Sequence, residues 1–308
     1  MSRWWLRPLV RFCVALLLPF GVPAVISYLI WAMPGDPASI ICAPEVCVNS
    51  YDALAERWNL DRGPWHFYSE WASAALGGDF GKSWTYMPSE SVGNLLLESL
   101  PNTLKLVGLA TLILLLGSVR TATGQVSAIS RRLIRALGAM PALVLALVGA
   151  ASLSVTFGAM STGNLANTVR LLIGAGVLAV ADASLSGTME AVGQVVGSEK
   201  RQRYVHMGLL RGEGTLENML PNILPALAGQ FRAKVLALLS SAVIIEVILS
   251  VEGVGELLWN GTLDQDFGLV LGATFVFVLI SSALMLMQAV VEVMVGMMVR
   301  RTPVGVVE

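Results

Sequence analysis

The sequence predicts an all-α, polytopic membrane protein. Of its 308 residues 55% are hydrophobic and 13% are charged, where an ordinary soluble domain carries about 25% charged residues. The mean hydropathy is +0.71, and charge-free stretches recur, each near the roughly 20 apolar residues that a helix needs to cross about 30 Å of hydrocarbon. This composition excludes a soluble enzyme and a disordered chain. The formal charge is -1 with a pI near 6.2 and no basic tract, so nucleic acid is not an expected partner. Cys13, Cys42 and Cys47 with His66 and His206 are too few and too scattered for a metal cluster, and no metal site is expected.

Six spans follow in order. The first runs from Phe12 to Gly35, between Arg11 and Asp36. Three arginines precede it, as in a secretory signal, but the run exceeds the roughly 7 to 15 residues of a signal core and further spans follow. The second, Leu106 to Val119, is extended by Pro101 to Thr103, with Lys105 and Arg120 able to snorkel at its ends. The third and fourth lie between Ala136 and Val192, divided by the turn-like Ser161-Thr-Gly-Asn-Leu-Ala-Asn167. The fifth covers Ala226 to Leu249 and the last Phe267 to Val299. The chain, 1–308, is therefore expected to be a single membrane domain with a structured loop over 33–100 and an opposite loop over 193–221.

Lysine and arginine positions set the expected direction. One side holds Arg3, Arg7, Arg11, Arg120, Arg131, Arg132, Arg135, Lys200, Arg201, Arg203, Arg211, Arg300 and Arg301. The other holds Arg57, Arg62 and Lys82, with Lys105 and Arg170 at helix edges, while 250–266 contains Glu252, Glu256, Asp264 and Asp266 and no basic residue. Both termini are expected in the cytoplasm of a bacterial or archaeal cell, and 33–100 outside.

The long loop reads Met33-Pro34-Gly35-Asp36-Pro37-Ala38, then Leu60-Asp61 and Pro64, then Gly77-Gly78-Asp79-Phe80-Gly81-Lys82-Ser83, and Ser99-Leu-Pro-Asn-Thr-Leu104 at the next helix. Further on stand Arg203-Tyr204-Val205-His206-Met207-Gly208-Leu209-Leu210-Arg211-Gly212, then Ala242-Val-Ile-Ile-Glu246 and Glu252-Gly-Val-Gly-Glu-Leu-Leu258. Taken together these resemble the dipeptide, oligopeptide and nickel family of ABC importer permeases, the membrane subunits of binding-protein-dependent uptake systems. Asn59 to Pro64 departs slightly from that family's pattern. In the cytoplasmic segment Gly208 and Leu210 replace two alanines, Arg203 replaces an acidic residue, and 212–225 is several residues shorter than usual.

The resemblance implies a type I importer fold and peptides or a similar small solute as cargo. It implies as partners a second permease, identical or related, two cytoplasmic ATPases that carry ATP and Mg, an external solute-binding protein and membrane lipid. No cofactor is expected on this chain, nor any catalytic residue. Tyr204, Val205, Gly208, Leu210 and Gly212 fall on the family's coupling element, a short helix and turn that docks into the ATPase. Gly212 would close that helix at positive φ, which glycine adopts at the least steric cost, with Tyr204 and Val205 as the apolar face entering the partner. A surface-lying amphipathic helix is the rival reading.

Residues 77–83 also look like a phosphate loop, but Leu76 stands where its first glycine belongs and the segment is expected to face outwards. It is assigned to external loop structure. Ionisable groups inside spans are functional candidates by default: Asp182 in the fourth, Glu246 in the fifth and Glu292 in the sixth, with Arg232 and Lys234 in the fifth. Asp182 is expected to form an ion pair with Arg232 or Lys234 or to line the path; Glu246 matches a family position near the gate. A proton-coupled secondary transporter using these carboxylates is the alternative function. Cys42 and Cys47 are either bridged or two free thiols, and Cys13 is a small apolar residue of the first span.

Overall fold

The computed structural model describes residues 6–32, 60, 62–157, 164–212 and 214–301. Pro34, Gly35, Asp36, Pro37, Cys42 and Cys47 lie outside the described residues, as do 161–163. The described chain forms α1 (Leu6–Ala32), α2 (Pro64–Leu76), α3 (Val92–Ala122), α4 (Ala128–Gly138), α5 (Ala142–Phe157), α6 (Asn164–Val180), α7 (Ser184–Lys200), α8 (Arg203–Leu210), α9 (Thr215–Leu249), α10 (Val254–Leu263) and α11 (Phe267–Arg301). The single β-bridge among them joins Lys82 and Ser91.

Three helices are long and apolar enough to cross a bilayer alone: α1, α3 and α11. The other spans are bent pairs, α4 with α5 at 96°, α6 with α7 at 48° and α9 with α10 at 74°, which brings the possible total to 6. Several boundaries differ from expectation: α3 begins at Val92 and α9 at Thr215, well before the expected second and fifth spans. The third span begins at Ala142, because α4 turns away before it; the expected turn at 161–167 is helical from Asn164; and Asp182 sits in the break between α6 and α7 rather than inside a span.

The chain divides into two compact units. The larger holds Lys105–Leu249 with Met1–Ala15 and Ala283–Glu308. Within it α9 packs on α5, α6 and α7, and α8 lies on α7 and α9. Small buried residues, among them Ala110, Ala175, Ala179 and Ala242, permit close helix approach where lipid supplies no hydrophobic drive between helices. The α6–α7 break has φ 51° at Asp182 and 54° at Ala183. Its freed N–H groups donate to the end of α4: Ala183 to Gly138 O at 2.8 Å and Asp182 to Met140 O at 3.3 Å. In return the Asp182 carboxylate accepts from Ala142 N, the first residue of α5, at 3.3 Å. The two corners thus satisfy one another's backbone groups.

The smaller unit holds Leu16–Leu104 and Ser250–Ser282. It has an aliphatic cluster around Val92, Leu96 and Leu269 and a second, largely aromatic one. Trp71 meets Phe275 edge-on at 5.8 Å, Phe67 meets Trp84 at 6.0 Å, and Trp84 meets Phe267 at 5.8 Å. Tyr68 donates to Phe20 O at 2.7 Å, so the phenol buried with its ring is satisfied.

Candidate functional site

In the larger unit, α8 is an eight-residue helix that ends where Gly212 takes φ 80°. Arg211 N donates to Met207 O and Gly208 O, and Gly212 N to Leu209 O, closing the last turn. No atom lies within 4 Å of where a Gly212 Cβ would stand. Backbone conformation alone selects glycine there.

The faces of α8 are not those expected. Val205 is 1% exposed and packs with Val192, Val196, Met219 and Ile223 of its own chain. It fastens α8 to α7 and α9, and so is not a surface that enters a partner. Tyr204 is exposed, and its hydroxyl is tied to its own chain, donating to Glu199 and accepting from Asn222 Nδ2 at 2.8 Å. Desolvation, then the bond to Glu199, pushes its phenol above the usual value of 10.0. Gly208 is buried as well. What α8 offers outward is Tyr204, Met207, Leu209 and Leu210, the last 84% exposed.

In the smaller unit the loop motifs close on one carboxylate. Gly78 and Gly81 have φ 86° and 81°, and Asp79 accepts from Gly81 N at 2.9 Å, an Asx-type turn that needs glycine and aspartate at these places. The turn delivers Ser83, fully buried, to Asp266. One Asp266 oxygen accepts from Ser83 Oγ at 2.5 Å, Trp84 N at 2.8 Å, Thr85 N at 3.1 Å and Tyr86 N at 3.2 Å. The other accepts from Leu269 N at 3.0 Å, so Asp266 also caps α11. Ser83 Oγ in turn accepts from Met87 N at 2.9 Å. No helix follows Ser83 directly, so 77–83 has the wrong context for a phosphate loop.

The helix-start motif is bonded to the segment between α9 and α10. Thr103 Oγ1 accepts from Val254 N at 2.8 Å and Asn102 Nδ2 donates to Glu252 O at 2.9 Å. Sequence reasoning missed these pairings and that of Ser83 with Asp266; only the cap of α11 had a local clue, Asp266 directly before an apolar run.

The ionisable candidates separate. Glu292 pairs with Arg11 and accepts from Gln288 Nε2 at 3.1 Å. Glu246 is fully buried in α9. Asp182 is exposed and forms no ion pair with Arg232 or Lys234; its expected structural role is met by Ala142 N instead. Among the described residues no group of three or more His, Cys, Asp or Glu could hold a metal.

Residues 111–301, from the middle of α3 to the end of α11, match the family described as binding-protein-dependent transport system inner membrane component. The chain is 24% identical over 289 residues to the oligopeptide transport system permease protein AppB of Bacillus subtilis, with 86% of this chain and 90% of that one covered. It is 26% identical over 302 residues to a protein of Brucella ovis whose name assigns it provisionally to peptide permeases, with 87% and 92% covered.

Proposed function

Because the chain belongs to the family of binding-protein-dependent transport system inner membrane components, and is thus a multi-pass permease subunit of an ABC importer, we propose that it moves peptides or a similar small solute by ATP-driven alternating access. The names of its relatives support the cargo. In this reading a second permease stands beside it, an external protein delivers the solute, and two cytoplasmic ATPases bind ATP and Mg on their own chains. Both termini, α4 and α8 face the cytoplasm, in keeping with the arginine distribution.

The observation that supports this most is α8: a short helix with a glycine stop at φ 80°, anchored inward by Val205 and apolar outward at Met207 and Leu210. Movement of the ATPases would reach α9 through that anchor. The exposed face decides the docking claim. Leu210→Asp should leave membrane insertion and melting unchanged and abolish ATPase co-purification and uptake together. Gly212→Val, strained by about 1 to 3 kcal/mol, should act alike. Val205→Asp should fail differently, unfolding the α7–α8–α9 contact through an unpaired buried charge. Normal ATPase recovery with Leu210→Asp would remove α8 from the mechanism.

A further inference from the structure

We propose that the cleft beneath α4 holds an anionic phospholipid of the cytoplasmic leaflet, with an acyl chain along Leu116, Ile134 and Met189 and its phosphate against Arg120 and Arg131. The leaflet rests on the orientation given above. The site does not depend on how the transporter is driven.

α4 turns 96° from α5, so with α5 crossing the bilayer α4 lies along its surface. Ile129, Leu133 and Leu137 recur at four-residue spacing and are 71%, 60% and 45% exposed; Arg131, Arg132 and Arg135 supply the polar side. Such a helix rests at the level where headgroups meet acyl chains. Below it lie two cavities of about 410 and 130 Å³ that share Ile134 and Met189 in their walls. The larger is bounded by Ile113, Leu116 and Leu185 and reaches Arg120; the smaller reaches Arg131.

The charges are unequal in their partners. Arg135 is bonded to Glu190 at 2.9 Å. Arg120 and Arg131 meet no carboxylate among the described residues, and the Arg131 side chain has only Val126 O at 3.4 Å. Two uncompensated guanidiniums over an apolar slot suit an amphiphile with an anionic head. A free anion would leave the slot unfilled, and a neutral lipid would leave the arginines unpaired.

The test uses the transporter purified in mild detergent, with phosphatidylglycerol and phosphatidylcholine of identical chains as probes, read by melting temperature and by the mass of retained lipid. Phosphatidylglycerol should stabilise and be retained, and phosphatidylcholine should do neither. Arg120→Gln with Arg131→Gln should raise the half-saturating phosphatidylglycerol concentration about 30-fold. Leu116→Trp, which fills the slot, should weaken it with both arginines intact. Arg132→Gln, the same charge change outside the cleft walls, should leave it unaltered. Equal stabilisation by both lipids, or an equal shift from inorganic phosphate alone, overturns the proposal. So does cross-linking of a cysteine at Ile134 to a second permease. A cysteine at Arg132 labelled by an impermeant reagent from outside would instead locate the failure in the orientation.

Discussion

Replacing Asp266 by alanine should open the segment that starts at Ser83 and loosen the first turn of α11, without disturbing the larger unit. The carboxylate accepts from Ser83, Trp84, Thr85, Tyr86 and Leu269. A hydrogen bond to a charged group contributes about 1.5 to 3 kcal/mol, but these cannot be summed, because four converge on one oxygen. Thr85 and Tyr86 are half-buried, and water can take over from the lost acceptor there. The donors of Ser83, Trp84 and Leu269 are buried, and each stranded donor costs about 1 to 3 kcal/mol. Since the Ser83 hydroxyl can rotate, we expect a local loss of about 3 to 5 kcal/mol.

That range corresponds to an opening equilibrium shifted by roughly 100-fold or more. Hydrogen exchange of the purified protein should show it in peptides covering 83–92 and 264–270, with peptides of α7 unaffected. Asp264→Ala is the control, since Thr85 uses only the backbone carbonyl of Asp264, at 2.7 Å. Unchanged exchange over 83–92 in the Asp266→Ala protein would refute the claim that one carboxylate holds this loop.

Ala183 occupies φ 54° without the freedom of glycine, so Ala183→Gly should raise the melting temperature, worth about 1 kcal/mol, and a fall would show the break to be relaxed. Single cysteines at Lys82 and Arg201 should react oppositely with an impermeant thiol reagent added outside, and equal labelling would refute the orientation.

The spans were legible because a bilayer demands long charge-free runs; α1 and α11 follow them closely, while α3 starts well before the expected second span, at Val92. Helix breaks were less so. Ala183 bears no mark of a left-handed residue, so the α6–α7 corner, and with it the role of Asp182, lay hidden inside an apolar stretch. The end of α4 merged with the span after it, because Ala136, Leu137 and Gly138 carry no charge and join the apolar run that follows. Gly212 was readable, since a glycine closing a short helix has a local cause. The partnership of Ser83 with Asp266 depends on tertiary contact across 183 positions, which no local pattern encodes. Val205 failed for a related reason: an eight-residue helix with apolar residues on both sides gives no hint of which side its own chain covers.

That distribution of faces bears on how α8 can transmit force. A helix pulled by a partner moves its neighbours only if its own anchor outlasts the contact that pulls it. On α8 the inward contacts are of the durable kind: Val205 fully buried among α7 and α9 residues, with Tyr204 held between Glu199 and Asn222. The outward side chains include Met207 and the leucines 209 and 210, largely solvent-exposed, which would suit the contact proposed to form and release in each cycle. From Thr215 the next helix continues for 35 residues, about 50 Å at 1.5 Å per residue, despite Pro221 and Pro225 within it. In the proposed reading, a displacement of α8 would reach the start of a 35-residue helix that carries the buried Glu246 toward its far end, so weakening the Val205 anchor should uncouple solute movement even where the outer face still docks.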